Sequence, residues 1–228
     1  EAFVPHKARR GTQVLLSIIA VVVSFVAIVA RWTEIAQTPL AHGEYIEDTL
    51  TLATQALLLV VAFLALLVIA DRSELGDGAF AAQPSDRPGS SDEDLSIAKG
   101  YQRTEIFPLV LFSLGGMMVF PAANTLIALF VALEVLSLPL YILVATARRR
   151  RQLSQEAALK YFLLGAFASA FVLMGGALLY GFSGSVVLSE ISVKVPMIPG
   201  MDWMLIVGVF MVMVGLLFKV GAAPFHAW

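Results

Sequence analysis

Apolar residues in this chain arrive in long unbroken blocks, not in the alternations or amphipathic stripes of a soluble fold. The blocks lie at 12–30, 51–70, 106–121, 123–146, 157–181 and 202–222 and beyond. A helix needs about 20 mainly apolar residues to cross the hydrocarbon core, so each block predicts a membrane span. The third is short, and one helix over 106–146 would be far too long. A turn is therefore expected at Pro121-Ala122-Ala123-Asn124. Between the second and third blocks the pattern changes. Residues 71–105 carry Asp71, Glu74, Asp77, Asp86, Asp92, Glu93, Asp94 and Glu105 with Pro84 and Pro88, which predicts a flexible acidic loop unable to bury a core of its own.

Composition agrees with the pattern: 59% of residues are hydrophobic and 14% charged, far from the balance of soluble domains. The fold class expected is all-α, a polytopic transmembrane helical bundle. The first block is not a signal peptide, because Ala30-Arg31-Trp32 is a poor cleavage site and further spans follow. The chain starts at Glu1 without a methionine and stops at Trp228 in apolar sequence, so part of a longer polypeptide is expected. Basic residues outside the blocks cluster at Lys7, Arg9 and Arg10, within 71–105, and at Arg148 to Arg151, whereas the intervening loops hold only Arg31 and Lys194. By the positive-inside rule the three clusters face the cytoplasm.

Missing residue types narrow the chemistry. There are no cysteines, so the chain cannot build a thiolate or iron–sulfur site or a disulfide. His6, His42 and His226 stand in separate segments without the spacing of a metal pair. No phosphate-binding loop or dinucleotide glycine fingerprint occurs, and topology accounts for the basic clusters without nucleic acid. No cofactor is expected here, and electrons in any associated redox system travel through other chains.

Two lone charges sit inside the blocks. Glu134 is the only charged residue from Ala123 to Thr146, and Lys219 is the only one from Trp203 to Phe225. A charge at membrane depth costs about 2.5–3.5 kcal/mol even on lenient insertion scales, so a pair, a wet cavity or a function must retain it. One acid and one base at that depth are the minimum parts for moving a proton. Pro139 follows Glu134 and frees the carbonyl of Val135. Pro224 follows Lys219 and predicts a break in the last helix beside the amine. The plainer readings are a helix–helix contact for Glu134 and a lysine snorkelling to the interface for Lys219. His226 lies seven residues after Lys219, on the same face if the helix resumes, as a proton relay or an interfacial residue. Lys160, four residues into its block, either joins the site or pairs with Glu156.

The run Phe218-Lys219-Val220-Gly221-Ala222-Ala223-Pro224-Phe225-His226-Ala227-Trp228 closely resembles the F-K-x-x-x-x-P-F-H-x-W signature of the antiporter-like subunits of respiratory complex I. Ala157 to Ala170 is similar to the lysine-bearing sixth helix of the N-subunit family, the homologues of mitochondrial subunit 2. Leu133-Glu134-Val135-Leu136-Ser137-Leu138-Pro139-Leu140-Tyr141 is similar to its fifth helix. The resemblance implies an antiporter-like fold, only partly present, with a broken helix near Lys219–Pro224. It also implies a proton-translocating membrane subunit of NADH:quinone oxidoreductase that carries no redox centre itself. NADH, FMN, iron–sulfur clusters and quinone would then belong to partner membrane and peripheral subunits. The roles it carries over are a charge pair for Glu134 and Lys219, a modulating lysine for Lys160, and a place on the proton route for His226. Two other readings stay open: a subunit of a multi-subunit sodium/proton antiporter, and a structural membrane subunit without transport.

Overall fold

The computed structural model describes residues 4–5, 8–33, 39–71, 80, 89–99, 105–147, 151–195, 202–223 and 225. Its helices are α1 (Arg9–Arg31), α2 (Thr49–Ala70), α3 (Ser91–Ala98), α4 (Ile106–Val119), α5 (Leu126–Ala145), α6 (Arg151–Ser183), α7 (Leu188–Lys194) and α8 (Trp203–Val220). Strands β1 (Pro39–Leu40) and β2 (Tyr45–Ile46) form a small antiparallel hairpin. Among the described residues, α1, α2, α5, α6 and α8 are long and apolar enough to cross a membrane. Helix is the form such blocks must take, because it satisfies every backbone polar group within the segment.

Apolar and polar residues are distributed inside out relative to a soluble protein. Val26 and Val68 are exposed, whereas Ser17, Ser113, Ser137 and Ser169 are buried between helices. The exposed apolar faces suit lipid or another chain, and the hydroxyls face protein, where they find partners.

Two packed groups build the molecule. In the first, Val21 of α1, Leu59 and Leu66 of α2, and Phe107 and Leu114 of α4 share one core. In the second, α5, α6 and α8 lie side by side, and α4 packs along α5 to join the groups. Close approach depends on glycine. A Cβ on Gly175 of α6 would stand 2.7 Å from the Gly208 carbonyl of α8, and one on Gly215 of α8 would stand 2.7 Å from the Ala168 carbonyl. A Cβ on Gly116 of α4 would meet Leu136 Cα at 2.8 Å. Of the Gly115-Gly116 pair, only Gly116 lies at a contact; Gly115 faces open space.

The hairpin fastens one end of the bundle. Asn124 donates from its side chain to the Gly43 carbonyl at 2.7 Å and from its backbone to Glu44 at 2.8 Å, and its own carbonyl accepts from Leu188 at 2.9 Å. Thr125 donates to the Glu44 carboxylate at 2.5 Å while capping α5 through the Ala128 N–H. Asp48 caps α2 by accepting the Thr51 N–H at 2.7 Å. The expected turn is a 3-10 segment, Phe120–Ala122, whose Pro121 carbonyl accepts from Thr51.

The acidic segment 71–105 contains the helix α3, where only loop was expected. Its start explains this: Ser90 Oγ accepts the Glu93 N–H, and the Glu93 carboxylate reaches back to the Gly89 N–H at 2.7 Å. This is a reciprocal cap of the kind that nucleates helix ends, and the acidic first turn favours the positive end of the helix dipole.

Candidate functional site

Helix α5 presents Glu134, Ser137 and Tyr141 on one face, at positions i, i+3 and i+7. Ser137 is eleven residues from Leu126 and eight from Ala145, so it stands about 16 Å and about 12 Å from the two helix ends. That is mid-span. Opposite, α6 brings Ser169, Gly165 and Tyr161, spaced at i, i−4 and i−8. Helix α8 completes the site with Lys219, its penultimate residue.

Each ion is held by a serine. Ser169 Oγ donates to the Glu134 carboxylate. The Lys219 ammonium donates to Ser137 Oγ at 2.5 Å, and the Ser137 hydroxyl in turn donates a hydrogen bond to the Leu133 carbonyl at 2.5 Å. Glu134 and Lys219 form no direct ion pair among the described residues, yet the carboxylate is close enough to act electrostatically on the amine. Tyr141 stands beside both: Lys219 Nζ lies 6.0 Å from its ring centroid, and Tyr161, Glu134 and Ser137 lie near its hydroxyl. The ring is fixed by edge contacts to Tyr161 at 4.6 Å and Phe162 at 5.7 Å.

The depth of Lys219 follows from the Ser137 contact, not from its rank in α8. Although it is next to last in the helix, its nitrogen bonds a residue at the middle of α5.

The break after Lys219 has a different cause from the one expected. Helix α8 ends at Gly221 in the left-handed region (φ 67°, ψ 31°). The Ala222 N–H returns to the Leu217 carbonyl, and that of Gly221 to Phe218, each at 3.0 Å. This is a Schellman cap, which glycine enters without a Cβ penalty. The helix has therefore stopped before Pro224, which lies outside the described residues. Around Pro139, the Leu136 carbonyl accepts from Ser113 of α4 at 2.8 Å, so α4 supports the backbone beside the proline.

Lys160 is not brought to the pair. It is exposed and donates to Glu156 at 2.5 Å, one turn earlier on α6. Helix α6 has 33 residues, about 50 Å, against a hydrocarbon core of about 30 Å. Its first turns can overhang that core, and Lys160 lies nine residues, about 13 Å along the axis, from Ser169. His226 lies outside the described residues. Sequence reasoning missed Ser137, Ser169 and Tyr141. Serine and tyrosine are unremarkable within spans, and only the one-face spacing from Glu134 marked two of them. No group of three or more His, Cys, Asp or Glu able to hold a metal occurs among the described residues.

Residues 123–228 match the family described as NADH:quinone oxidoreductase/Mrp antiporter, TM. Proteins named NADH-quinone oxidoreductase subunit N match the whole chain. That of Beutenbergia cavernae is 52% identical over 238 residues, which covers 100% of this chain and 45% of the relative. That of Acidothermus cellulolyticus is 48% identical over 228 residues, covering 100% and 44%. The chain thus spans less than half the length of these relatives. Among solved structures, a chain of respiratory complex I from Thermus thermophilus with bound aureothin aligns with a TM-score of 0.70 and 31% identity, over 96% of this chain and 41% of that one. A chain of the Mrp complex from Dietzia sp. has a TM-score of 0.65 at 24% identity, over 97% and 38%, a likeness of fold alone.

Proposed function

The chain belongs to the antiporter-like membrane subunits shared by NADH:quinone oxidoreductase and Mrp complexes, and from that premise we propose that it forms part of a proton-translocating subunit N. Its partners are the other membrane subunits and the peripheral subunits that oxidise NADH through flavin and iron–sulfur centres and reduce quinone. The observation that carries the reading is an acid and a base at mid-span, each hydrogen-bonded to a serine and near enough to interact.

Function follows from electrostatics in a low-dielectric interior. An ammonium at this depth depends on acceptors and on a nearby anion. A movement that takes Glu134 away from Lys219 withdraws the anion, and the amine then releases its proton; return of the carboxylate favours reloading. The driving free energy comes from electron transfer in the partner subunits. Within this scheme Lys160 acts from the edge of the bundle, through its neighbour Tyr161, and His226 passes the proton onward.

Lys219→Ala in the whole complex tests the proposal. NADH:quinone activity in coupled membranes should fall at least several-fold together with proton pumping. NADH:ferricyanide activity, which reports the peripheral redox subunits, should stay near normal. A fully assembled variant with normal quinone activity and normal pumping would refute the role of Lys219. Sodium-dependent exchange without NADH-linked activity would instead place the chain with the Mrp-type antiporters.

A further inference from the structure

Tyr141 is 7% exposed, and its hydroxyl, which lies near Ser137, has no hydrogen-bond partner within 3.5 Å among the described residues. Buried phenols ordinarily find a partner, so an orphan one requires an explanation. Its surroundings keep it in place. Tyr161 and Phe162 hold the ring edge-on, and the hydroxyl rests over Gly165, where a Cβ would fall on the phenol oxygen. Ser137, the present acceptor of Lys219, precedes Tyr141 by four residues, and the amine lies 6.0 Å from the ring centroid.

We propose that Tyr141 is a positioning residue of the Lys219 site: its hydroxyl is the second acceptor to which the Lys219 ammonium turns when it leaves Ser137. The inference rests on the proton-transfer reading above. A lysine ammonium has three donors and no acceptor, and Ser137 accepts only one of its N–H groups. The flexible four-carbon stem lets the nitrogen turn between neighbouring acceptors, and the ring face tolerates a cation within about 6 Å during the movement. A neutral amine needs fewer acceptors, so the Tyr141 hydroxyl favours the proton-loaded form. Among the described residues, the charged or titratable side chains facing the amine are Glu134 and Tyr141 from α5, with Tyr161 of α6 behind Tyr141.

Tyr141→Phe removes the hydroxyl and keeps the ring, so a purely packing role predicts wild-type behaviour. The proposal predicts a fully assembled complex whose protons pumped per NADH fall by about half or more. The alkaline limb of its pumping-versus-pH profile should move down by about one unit, the scale of one hydrogen bond to a charged group. Gly165→Ala displaces the hydroxyl without altering Tyr141 and should reproduce both effects in assembled complex, which gives a second route if either variant assembles poorly. Lys219→Ala is measured alongside. If Lys219→Ala uncouples while assembled Tyr141→Phe or Gly165→Ala pumps normally with an unshifted profile, the inference is overturned and the reading of the chain stands. If Lys219→Ala pumps normally, both fall.

Discussion

Ser137 and Ser169 each bond one of the two ions, and this changes what substitutions should do. Glu134→Gln and Lys219→Met should each lower proton uptake by vesicles. Because the two groups interact, the double variant should be no worse than the more damaging single; strictly multiplicative losses would show that the sites are independent. Ser169→Ala leaves a carboxylate bond unmade, at about 1–3 kcal/mol, and should reduce uptake less than Glu134→Gln. Asp48 supplies a pH test outside the membrane. Its bond from the Thr51 N–H holds the carboxyl below its ordinary 3.8. A depressed folded pKa means that the cap is fully effective above 3.8 and is lost as pH falls through the lower folded value. Thermal melting should show Asp48→Ala costing about 1 kcal/mol near neutral pH, with the difference shrinking in acid below 3.8.

At the scale of elements, neighbouring glycines have opposite fates. An alanine at 116 would press on the Leu136 backbone, where Ser113 also bonds. Overpacking of that kind costs about 1–3 kcal/mol, and it should lower the melting temperature and disturb the Glu134–Ser137 turn. An alanine at 115 meets nothing within 4 Å and should be neutral or stabilising by up to about 1 kcal/mol. Equal effects at the two positions would contradict the α4–α5 packing. Which of two adjacent glycines touches a neighbour depends on helix phase. Helix phase, in turn, is set by the partner helix.

For the whole molecule, the basic clusters predict orientation. Single cysteines at Asp92 and Gln155 should resist impermeant labelling from outside the cell, and one at His42, exposed in the hairpin turn, should react. The reverse pattern would invert the bundle. In that orientation Tyr141, Tyr161 and Phe162 lie on the cytoplasmic side of Ser137, so the aromatic group stands between the amine and that surface.

Sequence alone determined the class of the molecule, because blocks of apolar residues at bilayer length admit only helices. It also singled out Glu134 and Lys219, since an isolated charge in such a block is costly wherever the block packs. Tertiary structure decided the rest of the site. The depth of Lys219 comes from its Ser137 contact, reached because Gly175, Gly208 and Gly215 let α6 and α8 lie close. Lys160 pairs with Glu156 one turn away on α6 rather than reaching the pair. The serines and Tyr141 gain their roles only from neighbours on other helices. Contacts between spans depend on relative rotation and depth, and along a uniformly apolar helix no periodicity in the sequence records either.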